Sequence, residues 1–286
     1  MSLVALLLIL TAAVCHATWN LLAKRAGGGA AFVSLFSLLS SLIYAPLGIA
    51  VILITKPAFG VEQWIFIIGS GALHLGYFLL LQQGYRVGDL SLNYPLARGT
   101  GPALSTVAAI IIFSERPSLL AIGGGVLILT GVVMISGGAR LLRGGVPSAA
   151  ILFGLATGSI IASYTLWDKH AVATLAIPPL VFDWGVNVTR SALLAPVSWK
   201  RRAAIRDLAS THWREALGVA ILSPLAYILV LTAMTTTPVS YVAPAREISV
   251  LIGAWFGARL LSEGDTRRRM VAASVMLVGI SALALG

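Results

Sequence analysis

The sequence predicts an all-α polytopic membrane protein with ten transmembrane helices arranged as an inverted 5+5 repeat. Three observations predict it. Of 286 residues, 58% are hydrophobic and only 10% charged. A soluble domain carries about 25% charged residues, so this chain has too little polar surface to face water. Runs of roughly 20 apolar residues, the length that crosses a bilayer core, recur along the chain with short connections. The chain also resembles itself after a shift of about 145 residues.

The first span lies near 2–22. No Lys or Arg precedes its apolar run, and the repeat aligns it with an interior helix, so it is expected to be retained rather than cleaved as a secretory signal. Span 2, near 31–54, follows Gly27-Gly28-Gly29, which reads as a turn. Span 3 lies near 64–85, and span 4, near 91–113, carries YPLARGTGP. Span 5, near 118–137, holds Gly123-Gly124-Gly125, a signature of close helix packing. Spans 6 to 10 lie near 147–167, 178–198, 216–234, 240–261 and 269–285. The longest connection, WKRRAAIRDLASTHWRE at 199–215, holds no soluble domain. The expected halves are 1–139 and 147–286.

A shift of 145 places Ala5, Leu10, Ala17, Lys24 and Ala26 on identical residues. A shift of 148 places Arg98 on Arg246, Ser114 and Glu115 on Ser262 and Glu263, and Gly131 on Gly279. Arg and Glu are rare in this chain, so their coincidence at one offset carries most weight. Five spans are an odd number, so the second copy enters the membrane upside down, a frequent plan of secondary transporters. The loops on one face hold 14 of the basic residues and the opposite face holds only Lys56, Arg116 and Lys169. The positive-inside rule makes the first face cytoplasmic and leaves both termini periplasmic. The net charge of +10 therefore reports orientation. No basic face or aromatic motif accompanies it, so no nucleic acid partner is expected.

Arg98, Arg190, Arg246 and Glu247 stand within spans, where ionisable groups cost about 2.5–3.5 kcal/mol and face the bundle interior or water. Arg98 precedes Glu115, and Arg246 precedes Glu263, by 17 residues, or ~25 Å of helix. Each arginine is thus well inside the bilayer, and inversion brings the two toward the midplane from opposite faces. Pro95, Pro102 and Pro244 beside them predict helix breaks, tolerated at this depth only where protein or a wet cavity satisfies the freed groups. Two roles are open for the arginines: binding an anionic substrate group, or tying helices together. Neighbours on a helix point ~100° apart, so Glu247 is a poor partner for Arg246; it is a candidate for proton coupling.

Other polar residues fall on helical stripes. His16, Trp19 and Asn20 share a face of span 1; His74, Tyr77 and Gln82, with Phe78 and Leu81, share one in span 3; and Ser163, Tyr164 and Trp167 share one in span 6. Tyr227 in span 8, and Tyr94 and Tyr241 at the starts of spans 4 and 9, complete an expected aromatic cavity lining. No phosphate loop, metal set or GxSxG element is present, so neither enzyme activity nor a cofactor is expected. Cys15 is the one cysteine and is expected to be a packing residue.

HATWNLLAKRA, YRVGDLSLNYPLARGTGP, the SER turn before a Gly-rich helix and the two five-helix halves resemble the EamA-type transporters of the drug/metabolite transporter superfamily. The resemblance spans the whole chain. It implies alternating access around a cavity formed by spans 1, 3, 4, 6, 8 and 9, with 5 and 10 peripheral. Members with known substrates often export amino acids, aromatic ones among them, or other small metabolites. Studied relatives are usually drawn with cytoplasmic termini, opposite to the charge-based orientation. The resulting expectation is a bacterial inner-membrane exporter of amino acids or similar metabolites, its partners a small-molecule substrate and the lipid bilayer. The alternatives are a passive channel or facilitator and, less supported, a membrane enzyme acting on lipid-linked substrates.

Overall fold

The computed structural model describes residues 1–27, 29–87, 90–135, 148–261 and 266–286, with side chains at 82, 84–95, 135, 148, 150, 254, 256–261 and 266–270 left out of that description. Ser262, Glu263 and the side chains of Gln82 and Tyr94 therefore lie outside the described residues.

All regular structure among the described residues is helical. The first half contributes α1 (Leu3–Arg25), α2 (Gly29–Thr55), α3 (Val61–Val87), α4 (Leu90–Ile112) and α5 (Leu119–Ile135). The second contributes α6 (Ser148–Ala173), α7 (Pro179–Lys200), the short α8 (Arg202–Thr211), α9 (Trp213–Thr236), α10 (Val239–Ala245), α11 (Ile248–Leu261) and α12 (Thr266–Leu285). Helices α10 and α11 together form span 9. Five segments are individually long and apolar enough to cross a bilayer: Leu3–Arg25, Gly29–Thr55, Val61–Leu81, Ile151–Ala173 and Trp213–Thr236. Three shorter apolar helices, Leu96–Ile112, Leu119–Met134 and Val271–Leu285, belong to spans 4, 5 and 10. The protein is a multi-pass membrane protein.

Local chemistry sets several helix ends. The Ser2 hydroxyl accepts from the Ala5 amide at 3.2 Å and caps α1. Gly27 and Gly29 have φ of 76° and 90°, left-handed values that glycine adopts without a Cβ clash, so the chain turns sharply into α2. Pro179 opens α7, where a missing amide hydrogen is harmless.

The packing has a two-fold pattern. Exchanging spans 1–5 with 6–10 maps the pairs α2·α7 and α5·α12 onto themselves, and α4·α10 likewise joins spans 4 and 9. The same exchange carries α4·α6 onto the contact of α1 with span 9, and α1·α9 onto α3·α6. Glycines permit the closest approaches. A Cβ at Gly124 would meet the Gly279 carbonyl oxygen at 2.6 Å, and one at Gly158 would meet Thr100 at 2.7 Å.

The prolines do not act alike. Helix α4 runs on through Pro95 and Pro102, against the expected break. Gly101 lies beside Pro102 and is pressed by Ile161 of α6, while Gly158 packs on Thr100. This packing flanks the turn in which Pro102 leaves one helical hydrogen bond unmade. Span 9 does break. After Pro244 the backbone tightens, with Glu247 N–H bonded to Pro244 O at 3.0 Å and Val250 N–H to Glu247 O at 2.9 Å.

Both termini lie at one end of the bundle, where the Met1 ammonium reaches the Ala284 carbonyl at 3.3 Å. At that end the Glu115 carboxylate accepts from the amides of Val239 and Ser240 at 2.7 and 2.9 Å. The loop after span 4 thereby grips the start of span 9, charge against helix N-terminus. Nearby, Lys169 donates to the Met234 and Thr237 carbonyls at the end of α9. Helix α8 has no buried residue. It lies at the opposite end, with Ile205 and Leu208 against the bundle and the Arg202 and Arg214 guanidiniums each 5.3 Å from a tryptophan ring centroid, Trp199 and Trp213.

Candidate functional site

A cavity of about 700 Å³ occupies the centre of the bundle, within the ~300–1,000 Å³ range of small-molecule pockets. Among the described residues it is lined by spans 1–4 and 6–9, and none of those lining it belongs to span 5 or 10. Spans 2 and 7 thus join the six expected from sequence, through Phe32, Val33 and Phe36 and through Asp183, Asn187 and Arg190. Lys24, Gly27 and Gly29 also line it, so the cavity reaches the end of the molecule that carries the α1–α2 turn. Toward the termini it gives way to packed side chains, among them Phe182, Leu231 and Met234, each fully buried.

The two arginines both line this cavity, yet their surroundings differ. Arg98 is 7% exposed and Glu247 3%. Arg98 Nε lies 3.1 Å from Glu247 Oε2, and Arg98 Nη2 donates to Ser249 Oγ at 3.1 Å, with His16 Nε2 at 3.5 Å. Span 4 is thereby tied to the broken part of span 9. Arg246 has no carboxylate within ion-pair distance among the described residues. Its guanidinium stands 5.6 Å from the Tyr227 ring centroid, in cation–π position. The difference originates in sequence, since the position after Arg98 is Gly99 and the position after Arg246 is Glu247.

Two further polar groups flank the arginines. Asp168 of α6 is completely buried. Its Oδ2 accepts from the Tyr227 hydroxyl and lies 3.2 Å from His74 Nε2. His74 stacks on Tyr164 at 4.1 Å and meets the Tyr227 ring edge-on at 5.2 Å. On α7, Asn187 donates to Asp183 Oδ2 at 2.9 Å and accepts from Arg190 Nη2 at 2.5 Å. Arg190 also donates to Ser37 Oγ at 2.9 Å and lies over Phe36.

The residues singled out from sequence divide as follows. His16, Trp19 and Asn20 line the cavity from α1, and His74 and Tyr77 from α3. Arg98, Tyr164, Tyr227 and Arg246 line it from α4, α6, α9 and span 9. Three others are placed elsewhere. Trp167 turns to α3, donating to Phe66 O at 2.8 Å and stacking on the Phe66 ring. Tyr241 reaches the Gly286 carbonyl at 3.2 Å, at the end that holds the termini. Glu247 sits behind Arg98. Ser163, grouped with Tyr164 by sequence, is exposed on the outer face and bonds the Ser159 carbonyl. Asp168 and Asn187 were not anticipated. WDKH at 167–170 reads as charge at a membrane boundary, but Asp168 follows Tyr164 by four residues and so shares its inward face.

This arrangement is a solvent-accessible pocket with charged walls in the core of a duplicated helical bundle. The EamA-like transporter family model matches the chain twice, over residues 3–137 and 148–285. The chain belongs to the EamA-like transporter family. Among the solved structures that match the fold, a crystal structure of a protein 18% identical in sequence has a TM-score of 0.77 and covers 98% of this chain and 96% of its own. No curated protein matches the sequence. As a member of the EamA-like family the chain is a membrane transporter.

Proposed function

We propose that this EamA-like protein is a secondary transporter that exports amino acids or similar carboxylate-bearing metabolites across the bacterial inner membrane by alternating access. The observation that carries the reading is the unequal state of the two arginines. Arg98 is matched by Glu247, whereas Arg246 faces the cavity from beside an aromatic ring with no carboxylate partner among the described residues. An unmatched cation in a low-dielectric pocket attracts an anionic group strongly. Tyr77, Tyr164, Tyr227 and Trp19 offer apolar area with polar edges for the rest of a small ligand.

The basic loops favour an orientation with the termini in the periplasm. The cavity then opens to the cytoplasm, the side from which an exporter loads. The deciding measurement is counterflow with purified protein in liposomes across a panel of radiolabelled amino acids. Saturable counterflow for at least one amino acid, abolished in Arg246→Ala, is the expected result. Unsaturable flux would identify a passive facilitator, and absence of flux for the whole panel would remove the amino acid reading.

A further inference from the structure

Beyond the arginines, the cavity wall contains a buried acid that substrate binding as proposed above leaves unused. Asp168 has no solvent exposure, and its Oδ2 carries both of its contacts, from the Tyr227 hydroxyl and His74 Nε2. Its Oδ1 has no hydrogen-bond partner among the described residues. An ionised carboxylate with one bare oxygen is poorly supported at membrane depth, because charge there needs full pairing. A carboxyl group that gains and loses a proton fits the same surroundings. His74 supplies the route, since it lines the cavity with a side chain 14% exposed while Asp168 lies behind it. Its ring is held between Tyr164 and Tyr227, so the imidazole is fixed with Nε2 on the acid.

We propose that Asp168, with His74 and Tyr227, is a proton-binding site opening to the cavity, and that this EamA-like transporter exchanges a proton for the exported ligand there. In the proton-uptake step, with the cavity facing the receiving side, a proton from cavity water adds to the imidazole Nδ1, and the Nε2–H proton passes to Asp168 Oδ2; ligand loading from the other side reverses it. Imidazolium and carboxylate become imidazole and carboxylic acid, and no other reagent is consumed. The exchange follows from placement. Arg246 stands over the Tyr227 ring whose hydroxyl binds Asp168. A zwitterion with its carboxylate at Arg246 directs its ammonium toward the His74–Asp168 pair. The pair offers one negative charge, which a proton or an ammonium group neutralises, so the two compete.

The helices packed against α6 bring the following titratable groups. Helix α3 brings His74 and Tyr77, α9 brings Tyr227, α7 brings Asp183, and α4 brings Arg98. Tyr241 of α10 is turned to the chain terminus. On α6 itself Tyr164 faces the cavity and Lys169 is engaged with carbonyls of α9 and the loop after it.

The exchange rests on the reading of the cavity as a substrate site; the proton site does not, and two measurements separate them. The first is the pH-difference infrared spectrum of the purified protein in liposomes. On acidification one component of the carboxylic acid band is expected to be lost in Asp168→Asn and retained in Glu247→Gln and Asp183→Asn. A difference band identical in Asp168→Asn and wild type overturns the proton site. If Asp168→Asn does not fold, Tyr227→Phe and His74→Gln must each shift the pH at which the band appears, and an unmoved band overturns it. The second measurement uses liposomes loaded with whichever amino acid shows counterflow. Acidifying the receiving side is expected to accelerate wild-type export. Asp168→Asn should lose that acceleration relative to its own rate at equal pH on both sides, and Asp168→Glu should restore it. No acceleration in the wild type, a gradient effect of the opposite sense, or acceleration that persists in Asp168→Asn overturns the exchange. If no amino acid shows counterflow, the substrate reading and the exchange fall together while the infrared band still decides the proton site.

Discussion

Arg98 and Arg246 occupy equivalent places in the two repeats and are predicted to fail differently when removed. Arg98→Ala strands Glu247 in the membrane interior, a loss of about 3–5 kcal/mol for breaking a buried pair from one side. Folded yield in detergent should drop, and Arg98→Ala/Glu247→Ala should recover much of it. Arg246→Ala removes a cation that has no such carboxylate partner among the described residues. It should keep a near wild-type size-exclusion profile while transport of carboxylate ligands falls. Equal yields for the two single variants would contradict this division. Sequence made much of the cavity lining legible, because His, Tyr, Trp and Arg are expensive or conspicuous in an apolar chain. It could not separate the arginines, since the ion pair joins residues 149 positions apart, Arg98 and Glu247. Nor did it reveal Asp168, whose neighbours Lys169 and His170 disguised a buried acid as surface charge.

Individual helices were the most legible level, since a bilayer forces each span to be long, apolar and internally hydrogen-bonded. Proline was the weak signal. Pro102 is absorbed by glycine-mediated packing on α6, whereas Pro244 precedes a real break, and no local pattern distinguishes the two. At α5 and α12 the contact is backbone against backbone, so Gly124→Ala should overpack it by about 1–3 kcal/mol and lower the melting temperature. Gly123→Ala, with nothing within 4 Å of the added carbon, serves as the silent control. The Glu115 carboxylate holds two amides at the start of α10. Glu115→Gln should cost about 1.5–3 kcal/mol, the strength of hydrogen bonds to a charged group. In a Cys15→Ser background, a cysteine at buried Val239 should then be alkylated faster. Unchanged alkylation would mean that this contact does not keep the end closed.

For the molecule as a whole, the periodicity of rare residues carried the architecture: Arg98 with Arg246 and Glu115 with Glu263 pointed to duplication before any contact between helices was known. The excess of cations on one face further predicts where the ends lie. A periplasm-dependent reporter fused after Gly286 should be active in cells, and one that requires the cytoplasm silent; the reverse pattern overturns the orientation. The exchange of Gly99 for Glu247 between the halves has a consequence for ancestry. Two copies of the first half would set a pair of Arg98 guanidiniums toward each other with nothing to neutralise them. Two copies of the second would supply a glutamate for every arginine and leave no uncompensated positive charge. Neither half can stand in for the other, so the two repeats are no longer interchangeable.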